Sequence, residues 1–424
     1  MVADAAVVQR APFSPDAKLI LTARGLRQFA YGLLAVALGV ALTSAGLSPA
    51  AVGVIITVSL IGDFCSTYVI GLNADRWGRR RTLIVLSVLM GATGLIFGLI
   101  TVFPLLLVAA FFGTLGTTAS ETAPFLPIEQ AMLPLTCAPD RRTDIFARYN
   151  LVASFSGACG ALFAGVPDLL THLGVAQAAG IRLLFVVYTV AALAVALLEA
   201  RLSPAVEVPR VDVERATGRR LLPPLGASRG IVLRLSALFT VDSLAGGLIV
   251  QSLMALFFHL RFGVALGSLA TLFFSANLLA AFSYLGAAWL ARRIGLLNTM
   301  VFTHLPSNVL LMIVPLMPSF PLAAAVLLVR QLLSQMDVPT RQAYTMAMVA
   351  PEERTAAASV TSLARSAGSA TSPIISGALL QGSLLTLGLP FLISGAVKVV
   401  YDLALWQTFR RVEIEGEPAK EQRV

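Results

Sequence analysis

Twelve stretches dominated by apolar residues follow one another along the chain, centred near residues 31, 60, 91, 117, 156, 189, 244, 278, 307, 333, 367 and 398. Each runs for about 20 residues, the length that carries an α-helix through the hydrocarbon of a bilayer. The polar positions between them form short connections, with one exception. Residues 201–229 are rich in charge and hold Pro204, Pro209, Pro223 and Pro224, which marks a linker. The pattern predicts an all-α integral membrane protein: a tail over 1–17, a six-helix bundle over 18–200, the linker, a second six-helix bundle over 230–411, and a tail over 412–424.

The two predicted bundles repeat each other. Pro127-Ile128-Glu129-Gln130-Ala131 aligns with Pro339-Thr340-Arg341-Gln342-Ala343, and Ala138-Pro139-Asp140-Arg141-Arg142-Thr143 with Ala350-Pro351-Glu352-Glu353-Arg354-Thr355. Ser154 matches Ser366 and Gly165 matches Gly377 at the same offset. A constant offset over this distance superposes spans four and five on spans ten and eleven. Parallel repeats of this kind are a transporter architecture, in which two halves can rock about a central site.

Composition agrees with lipid as the solvent: 57% of residues are hydrophobic and 12% charged, about half the charged share of a soluble domain. The net charge of +9 is distributed in a way that excludes a nucleic-acid footprint. Arg76, Arg79, Arg80 and Arg81 follow span two, Arg141 and Arg142 span four, Arg292 and Arg293 span eight, Arg354 span ten, and Arg410 and Arg411 span twelve. The linker carries more arginines, whereas the opposite connections carry only Arg182 and Arg261. This asymmetry places both termini in the cytoplasm. Residues 1–17 hold Asp4, Arg10 and Asp16 and no apolar core, so they are not expected to be a cleaved leader. Cys65, Cys137 and Cys159 have no ligand spacing and read as packing residues.

After span two the chain reads Gly71-Leu72-Asn73-Ala74-Asp75-Arg76-Trp77-Gly78-Arg79-Arg80-Arg81. Gly71 offers a close helix approach and Gly78 a tight turn. Asp75 is placed to accept from backbone N–H groups at a helix start while the arginines neutralise it. This segment resembles the signature cytoplasmic loop of the major facilitator superfamily, whose pattern is roughly G-x-x-x-D-x-x-G-R-R/K. The corresponding stretch of the second half, Leu290-Ala291-Arg292-Arg293-Ile294-Gly295-Leu296, keeps the glycine and loses the acid. The resemblance implies that the loop is a cytoplasmic gate, with Glu129 of span four latching onto Arg79 or Arg80. Close helix packing is sufficient to explain Gly157, Gly160 and Gly368 in spans five and eleven.

Ionisable residues inside spans are costly and therefore informative. Asp63, Glu121, Asp242, His304, Arg330, Asp337, Arg341 and Arg365 are the candidates for a substrate or proton pathway. Arg330, Asp337 and Arg341 share one face of span ten, and Asp337 is the first carboxylate to test. The competing reading is an internal Asp337–Arg341 pair that serves packing. Glu121 and Glu129 flank two prolines, Pro124 and Pro127, which break span four. Asp63 and Asp242 lie near the middle of spans two and seven beside glycines, where a structural hydrogen bond is the alternative. Arg148 and Lys398 are read as snorkelling to the membrane surface. Met300 and His304 stand four apart, too few ligands for a metal site.

No P-loop, H-E-x-x-H or G-x-S-x-G pattern occurs, so the expectation is a carrier and not an enzyme or an ATP-driven pump. It would use no cofactor, and a monomer suffices because one chain holds both halves. Protons and a small solute are its expected partners, in a multi-pass cytoplasmic (inner) membrane protein working by alternating access; export of a small organic compound follows from the family resemblance. The alternatives are a sensor or scaffold on the same fold, and a carrier of metal or inorganic anions. Arginines in spans suit an anionic substrate, and the phenylalanine-rich remainder suits a hydrophobic one.

Overall fold

The computed structural model describes residues 14–117, 124–137, 142–207, 226, 228–349 and 353–411. These residues are helical with connecting turns, and no strand occurs among them. In chain order the helices are α1 (Pro15–Ser44), α2 (Pro49–Trp77), α3 (Arg79–Leu99), α4 (Phe103–Phe112), α5 (Phe125–Met132), α6 (Arg142–Phe163), α7 (Val166–His172), α8 (Gln177–Glu199), α9 (Arg229–Gly247), α10 (Gln251–Phe262), α11 (Leu266–Ile294), α12 (Leu296–Ile313), α13 (Phe320–Ser334), α14 (Asp337–Ala347), α15 (Arg354–Thr371), α16 (Pro373–Leu380), α17 (Leu384–Leu387) and α18 (Leu389–Phe409).

Among the described residues, nine helical segments are long and apolar enough to cross a membrane, two of which, Ile145–His172 and Arg229–Phe262, each run through two of the helices named above. The three remaining sequence-predicted spans, centred on 117, 333 and 367, fall where helices are broken. Span four runs as α4 and α5, span ten as α13 and α14, and span eleven as the polar α15 followed by α16. α5 begins at Phe125 and α14 at Asp337, positions that the repeat makes equivalent. Pro127 and Pro339 then stand at the third position of their helices. A proline there loses no helical hydrogen bond, because the first-turn N–H groups have no partner in any case. Pro339 therefore lies in the opening turn of α14 and does not interrupt a continuous span ten.

The helices gather into two compact units. The first comprises the segment up to Gly218 together with Val250–Phe274; the second comprises Arg219–Ile249 and the segment from Ser275 onwards. The hairpin of α10 and the start of α11, which lies within the 230–411 stretch of the sequence reading, groups by its contacts with the first unit. Its polar anchors are visible: Ser252 Oγ donates to the Thr117 carbonyl at 3.1 Å, and the Gly267 N–H to Asp168 Oδ2 at 2.5 Å.

In the first unit α1 is the central post, packed by α6, α8 and α10. From Ala30 to Leu42 it is apolar on all sides, and Leu33, Leu34, Ala35, Val36 and Leu38 have no exposed surface, as expected of a helix enclosed by others. Its contact with α6 depends on glycine. A Cβ at Gly32 would overlap the Gly157 carbonyl, and one at Gly160 would overlap the Phe29 carbonyl. The second unit repeats this pairing with α9 against α15. There Gly247 meets the Ser369 backbone and Gly368 the Thr240 backbone. The remaining core of the second unit joins α12, α14 and α18 through Met300, Tyr344, Tyr401 and Phe409.

Candidate functional site

Three groups of polar residues stand out against this apolar background: the loop after α2 and a buried charge network in each unit. In the loop, Gly78 has φ +94°, a conformation that a Cβ strains, and it separates α2 from α3. Gly295 holds the same place between α11 and α12 with φ +83°, which explains why the weakened second copy keeps its glycine. Gly71, by contrast, faces open space, with nothing near a Cβ built there, so it does not mediate a close helix approach.

The acid that caps α3 is also not the one expected. Asp75 is exposed and pairs with Arg79 one turn on, at 2.8 Å. Glu207, at the start of the linker, accepts from the Arg79 N–H at 2.8 Å and from the Arg80 N–H at 3.0 Å. Its charge sits at the positive end of the helix dipole. Arg80 donates to the Ala200 carbonyl, and Arg79 reaches the carbonyls of Ala131 and Val206 at 3.4 Å. Arg76 is exposed. The loop is therefore tied to the ends of α5 and α8 inside the first unit.

Glu129 does not latch onto that loop. It is 1% exposed and held by Arg27 of α1 at 2.5 Å and by the Tyr149 hydroxyl at 2.6 Å. Arg27 also faces Glu199 at 3.8 Å and lies over the Phe125 ring at 4.1 Å. Glu199 accepts from Ser87 at 2.6 Å. Arg24, one turn below Arg27, stacks over Tyr149 at 4.6 Å. Two cations and two carboxylates close this network, three of which (Arg24, Arg27 and Glu199) were missed by sequence reasoning. They sit where the apolar run of α1 begins and that of α8 ends, so hydropathy assigns them to the membrane surface although the bundle encloses them.

Asp63 is different. It lies in α2, 9% exposed, and its Oδ1 has no hydrogen-bond partner among the described residues. Gly62 beside it packs on the Phe111 carbonyl, which presses this part of α2 against α4. The Tyr31 and Tyr188 side chains lie in its electrostatic neighbourhood, and the Tyr188 hydroxyl is already committed to the Thr114 carbonyl. Glu121 falls outside the described residues.

The second unit assembles most of the other predicted residues. Lys398 Nζ donates to Asp242 Oδ1 at 2.5 Å and Arg341 Nη1 to Asp337 Oδ2 at 2.8 Å, with a longer contact from Arg341 to Asp242 at 3.4 Å. Lys398 is 7% exposed; it does not snorkel but points inward to a carboxylate. Beside this group, His304 Nδ1 is 2.8 Å from Asp402 Oδ1, and Asn308 donates to Asp402 Oδ2 at 2.9 Å. Asp402 is a further residue that sequence reasoning missed, hidden in the second half of α18. Arg330 is buried, makes one side-chain bond to Gln331 at 3.1 Å, and leaves its Nε without a partner. Arg365 of α15 is half-buried and lies in the field of Asp242, Asp337, Arg341 and Tyr401.

One position of the two networks is related by the repeat with its sign exchanged. Glu129 and Arg341 occupy equivalent positions. The first pairs with a cation of α1, the second with an anion of α9. In each unit a buried ion pair thus joins the helix that holds this position, α5 or α14, to α1 or α9. Among the described residues, no group of three or more His, Cys, Asp or Glu side chains could hold a metal ion.

Comparison with known proteins places this geometry in context. A sequence profile described as Major Facilitator Superfamily matches residues 20–336. The uncharacterized membrane protein YJR124C of Saccharomyces cerevisiae is 28% identical, over 94% of this chain and 95% of its own length. Among solved structures, the nucleoside transporter NupG superposes with a TM-score of 0.71 at 13% identity, covering 93% of this chain and 99% of that one. The D-xylose–proton symporter gives 0.67 at 16% identity, covering 92% and 97%. At these identities the likeness is one of fold.

Proposed function

Since this chain belongs to the major facilitator superfamily and is a membrane transporter, not an enzyme, we propose that it is a proton-coupled secondary carrier working by alternating access, with Asp63 as the proton-carrying group. The observation that carries this reading is the burial of Asp63 without a partner for Oδ1. An ionised carboxylate enclosed by protein and lipid is costly unless it is paired. The other buried carboxylates of the described spans all have cationic, hydroxyl, amide or imidazole partners: Asp16, Glu129, Glu199, Asp242, Asp337 and Asp402. Asp63 can meet the same cost by taking a proton, so that its enclosure and its proton uptake become one event. Opening α2 to water on the other side then releases the proton.

In a cytoplasmic membrane with an inward proton gradient, such a cycle drives a small organic solute outward in exchange for protons. The test is a proteoliposome assay with a pH-sensitive dye inside and candidate solutes outside. Wild-type protein should show solute-dependent proton movement. Asp63→Asn should abolish the proton signal while retaining solute counterflow, because exchange of solute for solute needs no net proton transfer. A proton signal of normal size in the Asp63→Asn protein refutes the assignment.

A further inference from the structure

The four span-embedded cations of the second unit face three carboxylates among the described residues. Lys398 is engaged by Asp242, Arg341 by Asp337 and Asp242, and the third carboxylate, Asp402, is bound by His304 and Asn308. Arg330 is buried, with one bond to its neighbour Gln331. Arg365 makes no hydrogen bond or ion pair among the described residues, although Asp242 and Asp337 lie within its electrostatic reach. It is also the only one of the four that keeps more than a buried residue's exposure. A guanidinium offers five N–H donors in a fixed fork, and leaving it unanswered inside a span is unfavourable. Within this network the positive charge is thus in excess, and the excess is reachable.

The position of Arg365 is well defined. Thr240 Oγ1 donates to the carbonyl of the adjacent residue, Ala364, at 3.3 Å, and Gly368 lies against the Thr240 backbone. These contacts hold α15 against α9 beside Arg365. Its neighbours one turn away, Thr361, Ser362, Gly368 and Ser369, are small or hydroxylic.

We propose that Arg365 is a substrate-binding residue and that the solute is an organic anion whose carboxylate takes the guanidinium fork. The planar, two-pronged match of arginine to carboxylate is the strongest simple pairing available to this side chain. The anion completes the charge balance that the protein's own carboxylates leave open. This deepens the carrier reading and rests on it for the term substrate, though binding itself does not require transport.

The test uses the full-length protein purified in a neutral detergent, with benzoate and succinate as probes and benzamide as the uncharged control. The shift of the thermal unfolding midpoint with probe concentration reports binding. At least one carboxylate should stabilise the wild type saturably while benzamide does not. Arg365→Met should need tenfold or more of that carboxylate for the same shift, and Arg365→Lys should fall between. Both variants should unfold without probe within a few degrees of wild type, because Arg365 supports no internal pair. Silence toward both carboxylates overturns the proposal, as does a carboxylate response that survives Arg365→Met. Stabilisation by added phosphatidylglycerol and by neither soluble anion assigns the guanidinium to a lipid headgroup and also overturns it. Failure of the carrier reading looks different: the carboxylate binds through Arg365, yet reconstituted protein exchanges none of it in counterflow.

Discussion

Lys398 and Asp63 both sit inside spans, and the protein treats them in opposite ways. Lys398 is locked to Asp242 at 2.5 Å, so removing Asp242 leaves the ammonium enclosed without its carboxylate, and removing Lys398 leaves Asp242 only the longer contact to Arg341 at 3.4 Å. Lys398→Met should therefore lower stability by about 3–5 kcal/mol, read as a fall in the thermal midpoint of the purified protein. Adding Asp242→Asn to it should recover part of the loss, because the stranded carboxylate disappears; a double variant as unstable as the sum of the singles argues against a direct pair. Asp63 has no such obligation through Oδ1. Asp63→Asn should leave the midpoint close to wild type while removing proton movement in the liposome assay. The residue scale is also where sequence reasoning was weakest. A charge close to the end of an apolar run looks the same whether it reaches for water or for a neighbouring helix. Hydropathy alone therefore does not separate Lys398, Arg24 and Arg27 from surface residues; the packing of α1 and α18 does.

Elements were more legible. Apolar run length marks a helix wherever the helix is continuous, and the constant offset of matches such as Pro127 with Pro339 and Gly165 with Gly377 identifies the repeat. What run length could not show is that spans four and ten stop and restart, since a broken span is as apolar as a whole one. The packing of α1 on α6 makes a sharp prediction at this scale. Gly160→Val places branched carbons where the Phe29 backbone already lies, and separating the helices forfeits their contact along several turns. The variant should reach the membrane poorly and lose its cooperative melt in detergent. Gly71→Ala, in the motif yet facing open space, should match wild type in both measurements. Removing the α3 cap with Glu207→Ala should cost about 0.5–2 kcal/mol, a loss visible as faster proteolysis at the loop after α2.

For the whole molecule, the exchanged sign at the equivalent positions Glu129 and Arg341 says that the pairing matters more than the identity of either charge. In the first unit, Arg27→Glu alone sets three carboxylates against Arg24, and Glu129→Arg alone crowds three cations around Glu199. Each single variant should fail to accumulate in the membrane. The double reversal should restore accumulation in part, measured by fluorescence-detected gel filtration, because the second unit already runs the equivalent contact with an arginine on the broken span. Recovery should be incomplete, since Phe125 stacks under Arg27 where the second unit has Asp337 under Arg341. The architecture as two related halves could be read from the repeat. The allocation of Val250–Phe274 to the first unit could not, because nothing in local hydropathy or in the linker's composition records which unit a later hairpin will join.

That allocation has a consequence in time. A ribosome finishes the linker well before it makes the hairpin that completes the first unit. At about 5–20 residues per second, the face of α1 around Gly39, which Ser252 and Leu256 will later cover, waits several seconds for its cover. During that interval the nascent protein is a half-built bundle with α9 already emerging. Chaperones or insertases of the membrane have a defined window, and a defined patch, on which to act.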